Sequence, residues 1–137
     1  MSQKRVPAIF MRGGSSKGVF FHSSDLPEDK NSWDKLFLSV LGSPDPYGRQ
    51  LNGMGGGISS LSKAVVISPP TRLDADVDYT FAQISVKDSV VDYSSNCGNL
   101  SSAVGPFAID TGLVDASGMN KEVRIHNTNS GKVIVSK

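Results

Sequence analysis

Apolar residues change their spacing several times along this chain, and each change marks a different element. Between Asn31 and Leu41, the residues Trp33, Leu36, Phe37, Val40 and Leu41 recur at i, i+3, i+4, i+7 and i+8, which predicts a helix. Asn31 or Ser32 is its expected N-cap, and Gly42 followed by Pro44 its stop. The same repeat returns in Leu100, Ala103, Val104, Phe107 and Ala108. Gly105-Pro106 should kink this second helix, because proline lacks a donor and crowds the carbonyl four residues back. It carries almost no charge, so it is expected inside the protein with strands wrapped around it.

Elsewhere the pattern is that of strands. Arg5–Phe10 and Gly18–Phe21 read as two strands separated by a glycine-serine loop, Arg12–Lys17. Lys63–Ile67 reads as a buried strand. Val77, Tyr79 and Phe81 alternate with polar residues before Ile84 and Val86 resume in shifted phase, which predicts a bulge near Ala82-Gln83. A short strand through Val91 and Tyr93 follows, and Val123 and Ile125 pair with Val133-Ile134-Val135 across a wide turn, Asn127–Gly131. The long Gly, Pro and Ser-rich segment from Gly42 to Ser62 contains Gly55-Gly56-Gly57, and a loop of that length in a compact domain points to function.

Composition narrows the choices. A chain of 137 residues is expected to form one domain around one core. Fourteen basic and 13 acidic side chains give a net charge of +1, without the basic stripe that nucleic-acid binding requires. The longest apolar runs, such as Ala64–Ile67, are far too short to span a bilayer, and Met1–Pro7 leads into no secretory h-region, so a cytoplasmic protein without a membrane partner is expected. One cysteine and two well-separated histidines supply neither an internal disulfide nor a zinc cluster. Gly53–Ile58 misses the G-x-G-x-x-G pattern, no P-loop pattern is completed, and G-x-S-x-G is absent.

Two residues stand out chemically. Cys97, in Asn96-Cys97-Gly98-Asn99, ends a strand region and opens the apolar helix. Free backbone N–H groups and the helix dipole there favour a thiolate and attract a carboxylate, and Gly98 allows close approach. A small buried cysteine in a tight turn is the competing reading. Lys63 lies where the glycine loop meets an apolar strand. It is either a solvated strand end or, with the loop folded over it, a desolvated amine usable as a base.

Four stretches carry a resemblance: Met11-Arg12-Gly13-Gly14-Ser15-Ser16-Lys17-Gly18-Val19-Phe20-Phe21, Gly55 through Lys63, Asn96 through Ile109, and Arg124-Ile125-His126-Asn127-Thr128-Asn129-Ser130-Gly131-Lys132. Together they resemble the 2-methylaconitate cis-trans isomerase family, with Ser15 where members often have threonine. The resemblance implies an α+β, diaminopimelate-epimerase-like lobe: a mainly antiparallel, barrel-like sheet around a central apolar helix. It also implies metal-free, cofactor-free proton transfer on a small unsaturated di- or tricarboxylate, such as 2-methylaconitate isomerisation or a related tautomerisation. By motif, Lys63 and Cys97 are the acid/base residues, and Arg12, Ser15, Ser16, Ser60, Gly98 and Asn99 hold the substrate carboxylates. Two-thiol racemase chemistry is not expected, since the chain has one cysteine.

Family members are far longer, so residues 1–137 are expected to be one N-terminal lobe of a two-lobed isomerase. The missing partner is a second lobe or a second copy of the chain, and little turnover is expected of the lobe alone. Exposed apolar surface is expected where that lobe would sit. The alternative is a non-catalytic lobe that binds carboxylates or another protein, for example an aconitase-type partner.

Overall fold

Hydrogen bonding joins seven strands of the computed structural model, which describes residues 3–115 and 122–137, into one mixed sheet. The elements run β1 (Ile9–Gly13), β2 (Ser16–His22), α1 (Asn31–Leu41), β3 (Lys63–Ser68), β4 (Val77–Ile84), β5 (Val91–Asp92), α2 (Gly98–Asp110), β6 (Val123–Asn127) and β7 (Lys132–Ser136). The sheet order is β1-β2-β3-β4-β6-β7, with β5 beside β6 on the same edge of β4. β2–β3 and β4–β6 are parallel and the other pairs antiparallel.

The sheet is open, and it lies between the two helices. Successive side chains of a strand point to opposite faces. Accordingly Phe20, Val65, Ile67, Val77, Tyr79 and Phe81 pack on Leu100, Val104 and Phe107 of α2. Their neighbours Val19, Phe21, Ala64, Val66, Ala82 and Ile84 pack on Trp33, Phe37 and Leu41 of α1. Two apolar clusters therefore replace the single core expected, and a layered arrangement replaces the barrel-like wrapping. The physical reason lies on α2 itself. Asn99, Ser102, Pro106 and Asp110 form an exposed stripe, so the helix needs cover on one side only. α1 then covers the sheet's second face.

α1 occupies the predicted span. Trp33, Phe37 and Leu41 are buried on one stripe, and Gly42 ends the helix at φ +82°, a left-handed conformation that glycine adopts without a Cβ penalty. Its N-cap is Lys30 rather than Asn31 or Ser32; the Asp29 carboxylate accepts the Asn31 N–H at 3.0 Å. α2 runs through Pro106 uninterrupted. Pro106 and the Ser102 carbonyl it leaves unpaired both lie on the exposed stripe, where water can take the donor's place.

Two expectations change. No bulge interrupts β4, whose pairing with β3 is continuous from Lys63↔Gln83 to Ser68↔Asp78. Both faces of β4 are buried, so apolar residues fall in both phases and imitate a register shift. Arg12–Lys17 is not an irregular loop either. Arg12 pairs with Lys17 and Gly13 with Ser16 across a two-residue turn in which Gly14 takes φ +52°. The first strand accordingly starts at Ile9, later than Arg5.

The 42–62 segment is ordered around Gln50, which is 1% exposed. Its amide nitrogen donates to Ser43 Oγ at 2.9 Å and Ser62 Oγ at 2.7 Å, and its oxygen accepts the Gly57 N–H at 2.9 Å. Gln50→Ala leaves all three without a partner, so a loss of about 2–4 kcal/mol in urea unfolding is expected.

Large apolar side chains are exposed on the two end strands, at Ile9, Phe10 and Val135, and beside the glycine loop, at Met54 and Ile58. No helix among the described residues is long and apolar enough to cross a membrane.

Candidate active site

Three elements bring three reactive side chains to one point. Lys63 opens β3 and shares the α2 face with Val65 and Ile67. Ser16 opens β2, which runs parallel to β3 with Gly18 opposite Lys63. Cys97 is the N-cap of α2, with extended backbone, and its sulfur accepts the Leu100 N–H at 3.4 Å. Lys63 Nζ lies 3.2 Å from Cys97 Sγ and 3.2 Å from Ser16 Oγ, and the Ser16 hydroxyl and the thiol are 3.8 Å apart. Ser16 and Cys97 are almost wholly buried, at 2% and 5% exposure, and Lys63 is half-buried with its Nζ 5.5 Å from the Phe81 ring centre.

The approach of α2 to the sheet depends on Gly13. A Cβ there would collide with the Asn99 carbonyl oxygen and lie 3.0 Å from Leu100 Cα. Gly98 differs, since a Cβ added to it meets nothing within 4 Å. The mouth of the helix is therefore open beside the buried thiol, with the positive end of the helix dipole facing outward.

Tyr79 supports the thiol from below. Its hydroxyl donates to the Cys97 carbonyl at 3.0 Å. Burial first, and the neighbouring Cys97 charge second, push its phenol well above the ordinary 10.0. The unfolded chain therefore releases this proton near pH 10 while the folded chain holds it, so the stability Tyr79 contributes is lost as pH rises above 10. Urea midpoints measured from pH 7 to 11 should fall at the alkaline end. Tyr79→Phe should lose about 1 kcal/mol at pH 7 and show a shallower alkaline decline.

Not all the sequence candidates converge. Lys63, Cys97 and Ser16 form the cluster, and Gly98 and Asn99 lie at the helix mouth beside it. Ser15 accepts from Asn99 Nδ2 at 3.2 Å. Ser60 lies on the 3-10 turn Ser59–Leu61, held next to Lys63 by Gln83, whose amide donates to the Ser59 and Ser62 carbonyls at 2.9 and 3.1 Å. Arg12 does not join them. Strand alternation turns it to the face opposite Gly13, and its Nε donates to the Gly14 carbonyl at 2.9 Å. Tyr79, Phe81 and Gln83 enter the sequence reading as strand residues and not as site candidates; the signal that places them here is odd-numbered register on the strand beside Lys63.

Other features lie elsewhere. His126 Nδ1 is 2.9 Å from the Asp78 carboxylate, whose other oxygen accepts from the Thr71 hydroxyl at 2.7 Å, a pairing distant in sequence. Concavities of about 540–650 Å³ are lined by residues 42–52, by the outer side of α1, and by Trp33, Tyr93 and Thr128, and do not include Lys63 or Cys97.

Residues 3–137 match the PrpF protein family. The chain belongs to the PrpF family. It is 53% identical over 97% of its length to the 2-methyl-aconitate isomerase of Cupriavidus necator, of which it covers 36%. It is 52% identical over 96% of its length to the 3-methylitaconate isomerase of Eubacterium barkeri, covering 34% of it. The 4-oxalomesaconate tautomerase of Pseudomonas putida is 48% identical over 99% of the chain, with 37% of that protein covered. A crystal structure of methylitaconate-delta-isomerase superimposes with a TM-score of 0.92 at 51% identity, over 97% of this chain and 34% of that one. This PrpF-family chain thus spans about a third of the length of the relatives it matches. Those relatives are isomerases and tautomerases of unsaturated carboxylates.

Proposed function

We propose that this chain is one lobe of an isomerase that moves a proton on a small unsaturated di- or tricarboxylate, with Lys63 and Cys97 as the reacting pair. The supporting observation is the 3.2 Å separation of Lys63 Nζ and Cys97 Sγ at the open N-terminus of α2. The substrates named for the relatives share an alkene conjugated or adjacent to carboxylates, so the chemistry required is the same for each.

In this reading Lys63 Nζ takes a proton from the carbon beside the alkene. The C–H electron pair spreads through the allylic system onto a carboxylate. The Cys97 thiol then protonates the far end of that system, or the same carbon after rotation about the weakened double bond. Lys63 ammonium returns its proton to the thiolate across the short gap, which restores both groups. Charge developing on the carboxylate is met by the Gly98 and Asn99 backbone N–H groups and the Ser15 hydroxyl, with Ser60 on the adjoining turn. Ser16 is taken up by the pair itself, and Arg12 is turned away. The remaining walls of the cleft come from a second lobe, in the same polypeptide or in a second copy, and positioning by that lobe supplies much of the rate.

Solvent deuterium incorporation into 2-methylaconitate, 3-methylitaconate and trans-aconitate tests the reading. The complete gene product containing this chain should exchange at least one of these acids, and residues 1–137 as a strict monomer should exchange little. Exchange by the strict monomer would refute the need for a second lobe. Saturable binding by the complete gene product with no exchange would instead favour the carboxylate-binding module.

A further inference from the structure

The Asn127-Thr128-Asn129-Ser130-Gly131 turn has no part in the chemistry above, yet two of its side chains reach across to the segment that leads into Cys97. Asn127 is fully buried. Its side-chain oxygen accepts the N–H groups of Asn129 and Ser130 at 2.9 and 3.0 Å, which fixes the orientation of the amide. Its nitrogen is thereby aimed at Asn96, the residue before Cys97, and donates to Asn96 Oδ1 at 2.6 Å.

Asn129 works from the same turn. β4 pairs with β6 at residues 77–79 and with β5 at residues 83–84, leaving Phe81 between them without a strand partner on that edge. The Asn129 side chain fills the gap, accepting the Phe81 N–H at 2.8 Å and donating to the Phe81 carbonyl at 2.9 Å. The same nitrogen donates to the Tyr93 carbonyl at 2.7 Å. Residues 93–97 are thus held at Tyr93 by Asn129, at Asn96 by Asn127, and at the Cys97 carbonyl by Tyr79. This segment otherwise consists of exposed Ser94, Ser95 and Asn96 with no strand or helix of its own; its local tie is at Ser94, whose N–H and hydroxyl donate to the Asp92 carboxylate at 2.8 and 2.6 Å, which leaves Ser95 and Asn96 to be fixed from outside.

We infer that Asn127 and Asn129 are positioning residues for Cys97: they clasp the segment entering α2 and so set the thiol's place against Lys63. The consequence for catalysis rests on the reading of Lys63 and Cys97 as the reacting pair; the clasp itself does not.

The test reads the thiol rather than turnover, and Cys97 is the chain's single cysteine, so alkylation reports on it alone. Iodoacetamide rates are measured from pH 6 to 10 for the unsubstituted chain, Asn96→Ala, Asn127→Ala and the double variant, with urea unfolding in parallel. Asn96 is exposed, so Asn96→Ala is expected to fold normally and to keep the protein testable should Asn127→Ala not fold. Asn96→Ala should change the alkylation rate by about fivefold, the scale of one net hydrogen bond, and displace the pH midpoint of the profile. The double variant should match the more affected single variant, because both substitutions break the same contact. An unchanged rate and profile in folded Asn96→Ala, or fully additive effects, would overturn the inference. Loss of carboxylate turnover with an intact thiol profile would count against the clasp as well, since the clasp acts through the thiol. A wild-type protein with no turnover but a shifted Asn96→Ala profile would leave the clasp standing and remove only the functional reading.

Discussion

In the complete gene product, Lys63→Ala is expected to slow deuterium exchange into the substrate by about a hundred- to ten-thousand-fold, the range that a positioned acid/base group contributes. The amine sits at the start of β3 with its stem against the α2 face, and among the described residues its nitrogen meets Ser16, Cys97 and the Phe81 ring. Removing it leaves Ser16 and Cys97 in contact with each other at 3.8 Å, so the urea midpoint should hardly move. Activity and stability therefore separate in this variant. Exchange that persists within about tenfold of the unsubstituted protein would show that another group takes the proton.

Gly13→Ala should have the opposite signature at the level of the fold. Its added Cβ faces the Asn99 carbonyl oxygen and Leu100 Cα, both backbone, and the Ser102 hydroxyl at 3.0 Å. None of these is the movable end of a long side chain, so β1 and the first turn of α2 must separate. A loss of about 3 kcal/mol in urea unfolding is expected, at the upper end of what overpacking costs. That separation also carries Cys97 away from Lys63, so exchange should fall with stability. Gly98→Ala is the paired control. Its Cβ enters open space and should leave the urea midpoint within about 0.5 kcal/mol, less the intrinsic gain of alanine in a helix. It should nevertheless raise KM, because the methyl group stands where the substrate carboxylate approaches the helix mouth.

What the sequence disclosed followed from how local each signal is. α1 was legible because five apolar residues share one stripe and Gly42 ends it. The thiol at the mouth of α2 was legible because the apolar repeat starts immediately after Asn96-Cys97-Gly98-Asn99. The layering was not, since alternation identifies a strand with one buried face, and β4 buries both. The Arg12–Lys17 hairpin was hidden because Gly13 is small to admit α2, a tertiary reason that reads locally as a loop. Ser16 was marked by the family motif as a carboxylate-holding residue, but its burial against Lys63 had no local signal. Its burial depends on a parallel strand 47 positions away. Apart from the local turn contacts of Asn127, Gln50 and the two asparagines of the β6–β7 turn reach partners 7 to 48 residues distant, which no local pattern reports.

Deuterium exchange by Lys63→Ala, Cys97→Ser and the variant carrying both tests most directly whether amine and thiol act as one unit. If they pass a single proton between them, the double variant is about as slow as the slower single variant. Losses that multiply, or a Cys97→Ser protein that exchanges at the unsubstituted rate, would contradict the account.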